Sequence, residues 1–239
     1  MKIPKLFKKK EIKPLCSAVV LAAGLSERMH DDKIFMELDS TPVLARTLKV
    51  FQNSEYVDEI IVVTRMEKVM DTAELCKKYG ISKTVKVIRG GATRMESALA
   101  GVSEVRKGAK LIAVHDGARP FVTEDLISRT VYAAQDHLAA APAIASTDTL
   151  KAVDDNGVII GTVDREHTVR IQTPQVFDAD LIKGALTKAA KEALALTDDC
   201  AAIEMMGVKI RTVEGDADNI KITTPRDLAI AAAIIKNRG

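Results

Sequence analysis

The sequence predicts a doubly wound α/β fold, a mostly parallel sheet with helices on both faces and a protruding β-arm. Three observations carry this. Short runs that are apolar throughout alternate with helical patterns over residues 18–138, as strands covered on both faces require. The rhythm breaks after Ala145, and no amphipathic helix is written over residues 146–177. Inside that break, Asp154-Asp155-Asn156-Gly157 ends in the Asn-Gly pair that closes tight hairpins.

The elements follow in order. Residues 18–22 are the first strand. Residues 42–51 form a helix with Val43, Leu44, Leu48 and Phe51 on one face. Residues 60–64 are a second strand, and residues 66–79 a helix stopped by Gly80. A third strand at 83–88, a helix at 95–105 and a fourth strand at 111–115 continue the pattern. Residues 123–138 are a helix with Thr123 as N-cap and Glu124-Asp125 in the first turn, where the helix dipole favours anions. A short strand at 141–145 leads into the arm, built from residues 149–153, 158–163 and 170–173. Such an arm buries little apolar surface alone, so a second subunit is its natural support. Helices at 180–194 and 199–206, a strand at 209–213 and a Pro-started helix at 225–236 close the chain.

Composition narrows the function. The chain has 239 residues, 47% of them hydrophobic, enough for a sizeable core. We expect a basic tail over residues 1–16 and one domain over 17–239, with the arm at about 146–173. A net charge of +2 makes no electrostatic case for a nucleic-acid partner. Aromatic residues are 3% and Trp is absent, which disfavours a base-stacking surface of the single-strand-binding kind. The tail carries Lys2, Lys5, Lys8, Lys9, Lys10 and Lys13 and reads as solvated. No apolar run approaches the ~20 residues of a membrane span. Cys16, Cys76 and Cys200 are odd in number and lack metal-ligand spacing, so a reduced, cytoplasmic protein with structural thiols is expected.

The chemistry gathers at strand ends, where open parallel sheets bind ligands. The first strand ends in Ala22-Ala23-Gly24, small residues that let a ligand approach the backbone. Successive N–H groups in such a turn make an anion-binding concavity, and Arg28 and Lys33 add positive charge just downstream. This suits a triphosphate; the alternative is a plain strand-to-helix turn with both cations in water. Neither G-x-x-x-x-G-K-[ST] nor G-x-G-x-x-G is present, which excludes a P-loop and disfavours a dinucleotide cofactor.

The third strand runs into Arg89-Gly90-Gly91-Ala92-Thr93-Arg94-Met95-Glu96-Ser97. Ser97 either donates to a base or phosphate or sits near a helix cap. The fourth strand ends in His115-Asp116-Gly117-Ala118-Arg119-Pro120. Asp116 is placed to hold Mg²⁺, a hard ion that takes oxygen ligands, or to make an ordinary turn hydrogen bond. His115 reads as structural rather than as a base or ligand, and Arg119 either binds phosphate or, the favoured reading, locks the loop by a salt bridge. Near the end, Asp216, Asp218 and Lys221 offer a second carboxylate for the metal and a cation for a phosphate, or else a solvated loop. In the arm, Thr149, Lys151, Asp164, Arg165 and Thr173 form a polar set; the arm is either only an interface or also reaches an anionic substrate across a dimer.

Taken together, AAGLSERM, the Lys33 segment, GGATRMES, HDGARP, DTLK, TVDR, TPQVF, LTDD and EGDADNIKIT, in that order, resemble the 2-C-methyl-D-erythritol 4-phosphate cytidylyltransferase family. The resemblance runs from about Ser17 to about Ile235. It implies a doubly wound, Rossmann-like nucleotidyltransferase sheet with a β-arm, acting as a homodimer through that arm. It implies CTP and a sugar-alcohol phosphate as partners, Mg²⁺ as cofactor, and CDP-methylerythritol and pyrophosphate as products. By motif, Ala22, Ala23, Gly24, Arg28 and Lys33 would hold the triphosphate, with Gly90 and Ser97 at the cytosine or ribose. Asp116, with Asp218, would bind Mg²⁺. Thr149 and Arg165 of the second subunit would grip the sugar phosphate, and Thr173, Thr197 and Lys221 would complete that pocket. Asp32, Ala92, Gly117 and Leu21 depart from the family pattern, and none removes a charge the chemistry needs. A ribitol 5-phosphate cytidylyltransferase shares the phosphate turn and the metal Asp, and is the second reading. A non-catalytic nucleotide-binding protein is the third.

Overall fold

The computed structural model describes residues 13, 15–24 and 34–238. Strand β1 (Cys16–Ala22) begins two residues before the expected start, because Cys16 already pairs with Leu111. A short hairpin, β2 (Glu37–Leu38) and β3 (Thr41–Pro42), leads into α1 (Val43–Asn53). Next come β4 (Glu59–Thr64), a 3₁₀ turn at Met66–Lys68, α2 (Val69–Lys78) and β5 (Thr84–Arg89). Helix α3 (Arg94–Ser103), β6 (Leu111–Asp116), α4 (Glu124–His137) and β7 (Ala139–Ala145) follow. The chain then forms β8 (Lys151–Val153), β9 (Ile159–Thr162), β10 (Val169–Ile171) and β11 (Gln175–Asp178). It ends with α5 (Ala179–Lys191), α6 (Asp199–Glu204), β12 (Arg211–Glu214) and α7 (Pro225–Arg238).

The main sheet runs β10-β7-β11-β6-β1-β4-β5, with β12 against β7. Pairs β1–β4, β1–β6, β4–β5 and β7–β12 are parallel, whereas β10 and β11 run antiparallel to their neighbours. Strand β11 lies in the helix-free stretch that the sequence assigned to no element, yet it joins β6 to β7. The third strand expected in the arm, β10, belongs to the main sheet, paired with β7 through Ile171 and Ala143. Of the strands expected in the arm, β8 and β9 form a two-stranded sheet apart from the main one, with Val153, Val158, Ile159 and Ile160 exposed.

Alternation along the strands divides the core. Ala18, Val20, Ile60 and Val62 face α1 and α4, where Leu44, Leu48, Leu126 and Ile127 are buried. Val19, Ile61 and Val63 face α3, α5 and α6, against Val102, Ile182 and Ile203. Each fully buried Val or Ile contributes roughly 1.5–3 kcal/mol. These two layers hold the strand ends rigid, and the strand ends carry the site.

Candidate active site

Register brings the predicted motifs to one rim. Leu21 of β1 pairs with Asp116 of β6, and Ala22 pairs with Thr64 of β4. Beyond the strands, Gly117 N–H donates to the Leu21 carbonyl at 2.8 Å, and Gly90 N–H to the Thr64 carbonyl at 2.8 Å. A Cβ on Gly90 would lie 2.6 Å from Ser97 Oγ and 2.8 Å from the Ala23 methyl. Ala23, Gly90 and Ser97 are therefore neighbours, and glycine is needed at position 90 by close approach. Among the described residues nothing lies within 4 Å of a Cβ built on Gly24. Arg28 and Lys33 lie outside the described residues.

The loop from β5 to α3 is self-contained. Thr93, not Ser97, caps α3: its hydroxyl accepts from Glu96 N–H at 3.1 Å, and the Glu96 carboxylate accepts from Ala92 and Thr93 N–H at 2.6 and 3.0 Å. This is a capping box, which satisfies donors the helix leaves unpaired. Ser97 turns inward, donating to the Thr93 carbonyl at 2.9 Å and accepting from Gly91 N–H at 3.2 Å. Its hydroxyl shapes the loop beside Gly90.

Asp116 is the centre of the rim. It is 7% exposed, yet three cations surround it. Lys221 Nζ is 2.9 Å from Oδ2, Arg119 Nε is 3.6 Å from Oδ2, and Arg94 Nη2 is 3.5 Å from Oδ1. Burial alone would raise this carboxyl; Lys221, Arg94 and Arg119 together outweigh it and hold it well below the usual carboxylate range. The ion pair of Arg119 with Asp116 is the salt bridge expected to lock the loop, and Arg119 also donates to the Asn219 carbonyl at 2.7 Å. Asn219 donates to the Thr173 carbonyl at 2.9 Å. Gln172 donates to the Asp216 carbonyl at 2.7 Å and accepts from its N–H at 3.1 Å. The segment bearing Lys221 is thus sewn to the start of β11 and to the Asp116 turn.

His115 is fully buried, as its structural reading expects, and desolvation pushes its imidazolium down to about 3. Thr173 stands level with Asp116 because β11 runs antiparallel to β6, and Asp116 N–H donates to its hydroxyl at 3.1 Å. Asp218 is turned elsewhere. Its carboxylate meets Arg238 of α7 at 3.2 Å, and Asp216 meets the same guanidinium at 3.1 Å. Among the described residues no group of three or more His, Cys, Asp or Glu is arranged to hold a metal. Thr197 is exposed just before Asp198, the N-cap of α6. Thr149 and Arg165 are exposed at the base of the β8–β9 hairpin, where Val163 N–H donates to the Leu150 carbonyl at 3.0 Å.

Two residues of the rim escaped the sequence reading. Arg94 donates to Asp199 at 2.8 Å, and Asp199 is 1% exposed. Burial pushes the Asp199 carboxyl upward against the pull of Arg94. The signal was present: Arg94 opens α3, where the helix dipole disfavours a cation. A cation there needs carboxylates from elsewhere, and the Asp198-Asp199 doublet supplies one. Among the described residues no helix is long and apolar enough to cross a membrane.

Known proteins match this architecture. The family model for 2-C-methyl-D-erythritol 4-phosphate cytidylyltransferase (IspD) covers residues 16–237. A protein of that name from Caldanaerobacter subterraneus is 41% identical over 223 residues, spanning 92% of this chain and 98% of the relative. One from Halalkalibacterium halodurans is 39% identical over 224 residues, spanning 93% and 97%. The crystal structure of 4-diphosphocytidyl-2C-methyl-D-erythritol synthase from Anaerococcus prevotii superposes with a TM-score of 0.84 at 31% identity, covering 94% of this chain and 97% of that one. The Thermus thermophilus cytidylyltransferase structure gives a TM-score of 0.75 at 30% identity, covering 93% and 99%. With sequence, fold and rim in agreement, this chain is a nucleotidyltransferase and belongs to the 2-C-methyl-D-erythritol 4-phosphate cytidylyltransferase family.

Proposed function

We propose that the rim around Asp116 transfers CMP from CTP to 2-C-methyl-D-erythritol 4-phosphate, releasing pyrophosphate and forming CDP-methylerythritol for isoprenoid synthesis. The observation that carries this reading is the convergence of Lys221, Arg94 and Arg119 on Asp116 beside the Ala22-Ala23-Gly24 turn. Two polyanions must be brought together, and the rim supplies cations held in place before they arrive.

A phosphate oxygen of the acceptor attacks the α-phosphorus of CTP. A new P–O bond forms, the bond to the bridging oxygen breaks, and its electron pair leaves with pyrophosphate. A phosphate monoester is largely ionised at neutral pH, with a second pKa of about 6, so no general base is required. Holding the reactants aligned is worth roughly 7–11 kcal/mol in favourable cases. Lys221, half-exposed and ion-paired with Asp116, turns from that carboxylate to the acceptor phosphate. Arg28 and Lys33 neutralise charge growing on the α-phosphate. Ala22, Ala23 and Gly24 present backbone to the triphosphate, and Gly90 and Ser97 frame the nucleoside. Thr173 and Thr197 line the acceptor pocket.

Asp116 fits Mg²⁺, which binds through one or two carboxylates and otherwise keeps waters and substrate phosphates. Asp116 supplies one such carboxylate, while Asp218 is engaged by Arg238. The ion, when bound, neutralises phosphate charge. The exposed Val158, Ile159 and Ile160 of the hairpin favour a homodimer, in which Thr149 and Arg165 of one copy reach the acceptor pocket of the other. CTP and the sugar phosphate are water-soluble, which favours the cytoplasm as the place of work.

The test is pyrophosphate release with CTP, Mg²⁺ and methylerythritol phosphate, run beside ribitol 5-phosphate. Turnover restricted to the first acceptor is expected. Turnover only with ribitol phosphate, or with neither, overturns the reading. In the same assay Arg165→Ala should raise KM for the sugar phosphate more than KM for CTP.

A further inference from the structure

The hydrogen bonds of His115 can be assigned a direction. Its ring packs on Phe51 with centroids 4.9 Å apart, and both nitrogens have partners. Nε2 faces the Arg119 carbonyl oxygen at 3.3 Å. A carbonyl only accepts, so Nε2 carries the proton of the neutral ring. Nδ1 is then a bare acceptor, and the hydroxyl of Thr173, 3.0 Å away, donates to it. That hydroxyl has one proton, now committed, and its oxygen accepts from Asp116 N–H at 3.1 Å. The chain therefore runs from the Asp116 amide to Thr173, from Thr173 to His115, and from His115 to the Arg119 carbonyl.

We propose that His115 is a positioning residue for cytidylyl transfer: through the Thr173 hydroxyl and the Arg119 carbonyl it holds Asp116 and Arg119 in register with Lys221. The proposal rests on the function argued above and refines one part of it. With its proton engaged inward, the Thr173 hydroxyl does not donate to the sugar phosphate. Thr173 shapes that pocket instead of binding through its O–H.

The requirement explains why a histidine stands here. One rigid ring must accept at one corner and donate at another, toward two backbone turns at opposite ends of a tetrapeptide. Gln keeps the donor reach but lacks an acceptor at the Nδ1 position. A misplacement of about 1 Å in a group that aligns reactants costs on the order of 10²-fold in rate. A single deep link should cost less.

The experiment is a kinetic double-mutant cycle with His115→Gln and Thr173→Val, with Thr173→Ser as the conservative partner. Each of the first two should lower kcat about tenfold while both KM values stay within about twofold. The double variant should be no slower than the poorer single one. Thr173→Ser should restore kcat. Additive losses overturn the proposal. So does a Thr173→Val enzyme with intact kcat and a raised KM for the sugar phosphate, which would make the hydroxyl a direct phosphate donor. Should His115→Gln fail to fold by circular dichroism, the kcat-against-KM split of Thr173→Val and Thr173→Ser decides alone. ¹⁵N NMR of the unsubstituted chain reads the tautomer without any turnover: protonated Nε2 supports the assignment and protonated Nδ1 sinks it. Absence of CMP transfer in the unsubstituted chain would count against the function, while the NMR result still judges the hydrogen-bond chain.

Discussion

Arg94 Nη2 lies 2.8 Å from Asp199 Oδ2 and 3.5 Å from Asp116 Oδ1. One guanidinium thus bridges a buried carboxylate at the start of α6 and the carboxylate at the end of β6. The bridge ties the helix layer of α3 and α6 to the reacting rim. It also gives Arg94 a carboxylate partner besides Asp116, which Lys221 meets at 2.9 Å.

Neutralising Asp199 should therefore be costly for stability. Breaking a buried pair by removing one charge costs about 3–5 kcal/mol. Arg94 keeps Asp116 and is partly exposed, so Asp199→Asn should lose about 3 kcal/mol, at the low end. Urea unfolding measures it, and a loss under about 1 kcal/mol would mean the bridge is not stabilising.

Lys221 should behave in the opposite way. Lys221→Met leaves Asp116 with Arg94 and Arg119, so the fold persists. Removing a preorganised charge from a transition state typically costs about 10²–10³ in kcat. Unchanged turnover with a large drop in melting temperature would make Lys221 a structural residue.

Gly101 marks a packing limit inside α3. A methyl group there would sit 2.3 Å from Val19 Cγ1 and 2.8 Å from Val63 Cγ2. Alanine gains about 1 kcal/mol in helix propensity, but overpacking a tight core costs about 1–3 kcal/mol. Overpacking should win because both contacts are to β-branched residues locked in the sheet. Gly101→Ala should lower the melting temperature by a few degrees, since about 1 kcal/mol moves a chain of this size by roughly 2–4 °C. A rise would show that the helix can shift away from β1.

His115 gives stability a pH dependence. Its folded-state pKa, about 3, lies below the ordinary 6.5, so between these values the unfolded chain binds more protons than the folded one. Stability from this group is full above about pH 6.5 and is lost as pH falls toward 3, with a limiting slope of about 1.4 kcal/mol per pH unit. Asp116, held down by its cations, adds a loss with the same sign below about 3.8. Asp199, pushed up by burial, works the other way above about 3.8. Comparing the native chain with His115→Gln isolates the histidine: the variant should show the flatter profile between pH 4 and 6.5 in urea titrations.

Much of the fold was legible because its signals are short-range. The runs at β1, β4 and β6 are apolar throughout because both sheet faces are covered, and Thr123 announces α4 by capping Leu126 N–H. β11 was hidden: four residues after a proline, Gln175–Asp178, carry no periodicity, and only their place between β6 and β7 makes them a strand. Within the rim, the placement of Asp116, Gly90 and Ala23 at strand ends was legible because strand-end position is itself a local property. Ser97 was half-read, since its hydroxyl answers to a loop carbonyl that sequence does not orient. The pairing of Asp218 with Arg238 was not legible, because the guanidinium comes from a separate helix.

The residue order alone settled the layered α/β plan, the small-residue turns at the strand ends and the family, because each is encoded in contiguous stretches with their own backbone chemistry. Folding settled which charges meet. Arg94 and Asp199 stand 105 positions apart, and Arg119 reaches a carbonyl 100 positions away. Such pairings depend on where packed layers bring side chains in space, and no local pattern along the chain records that.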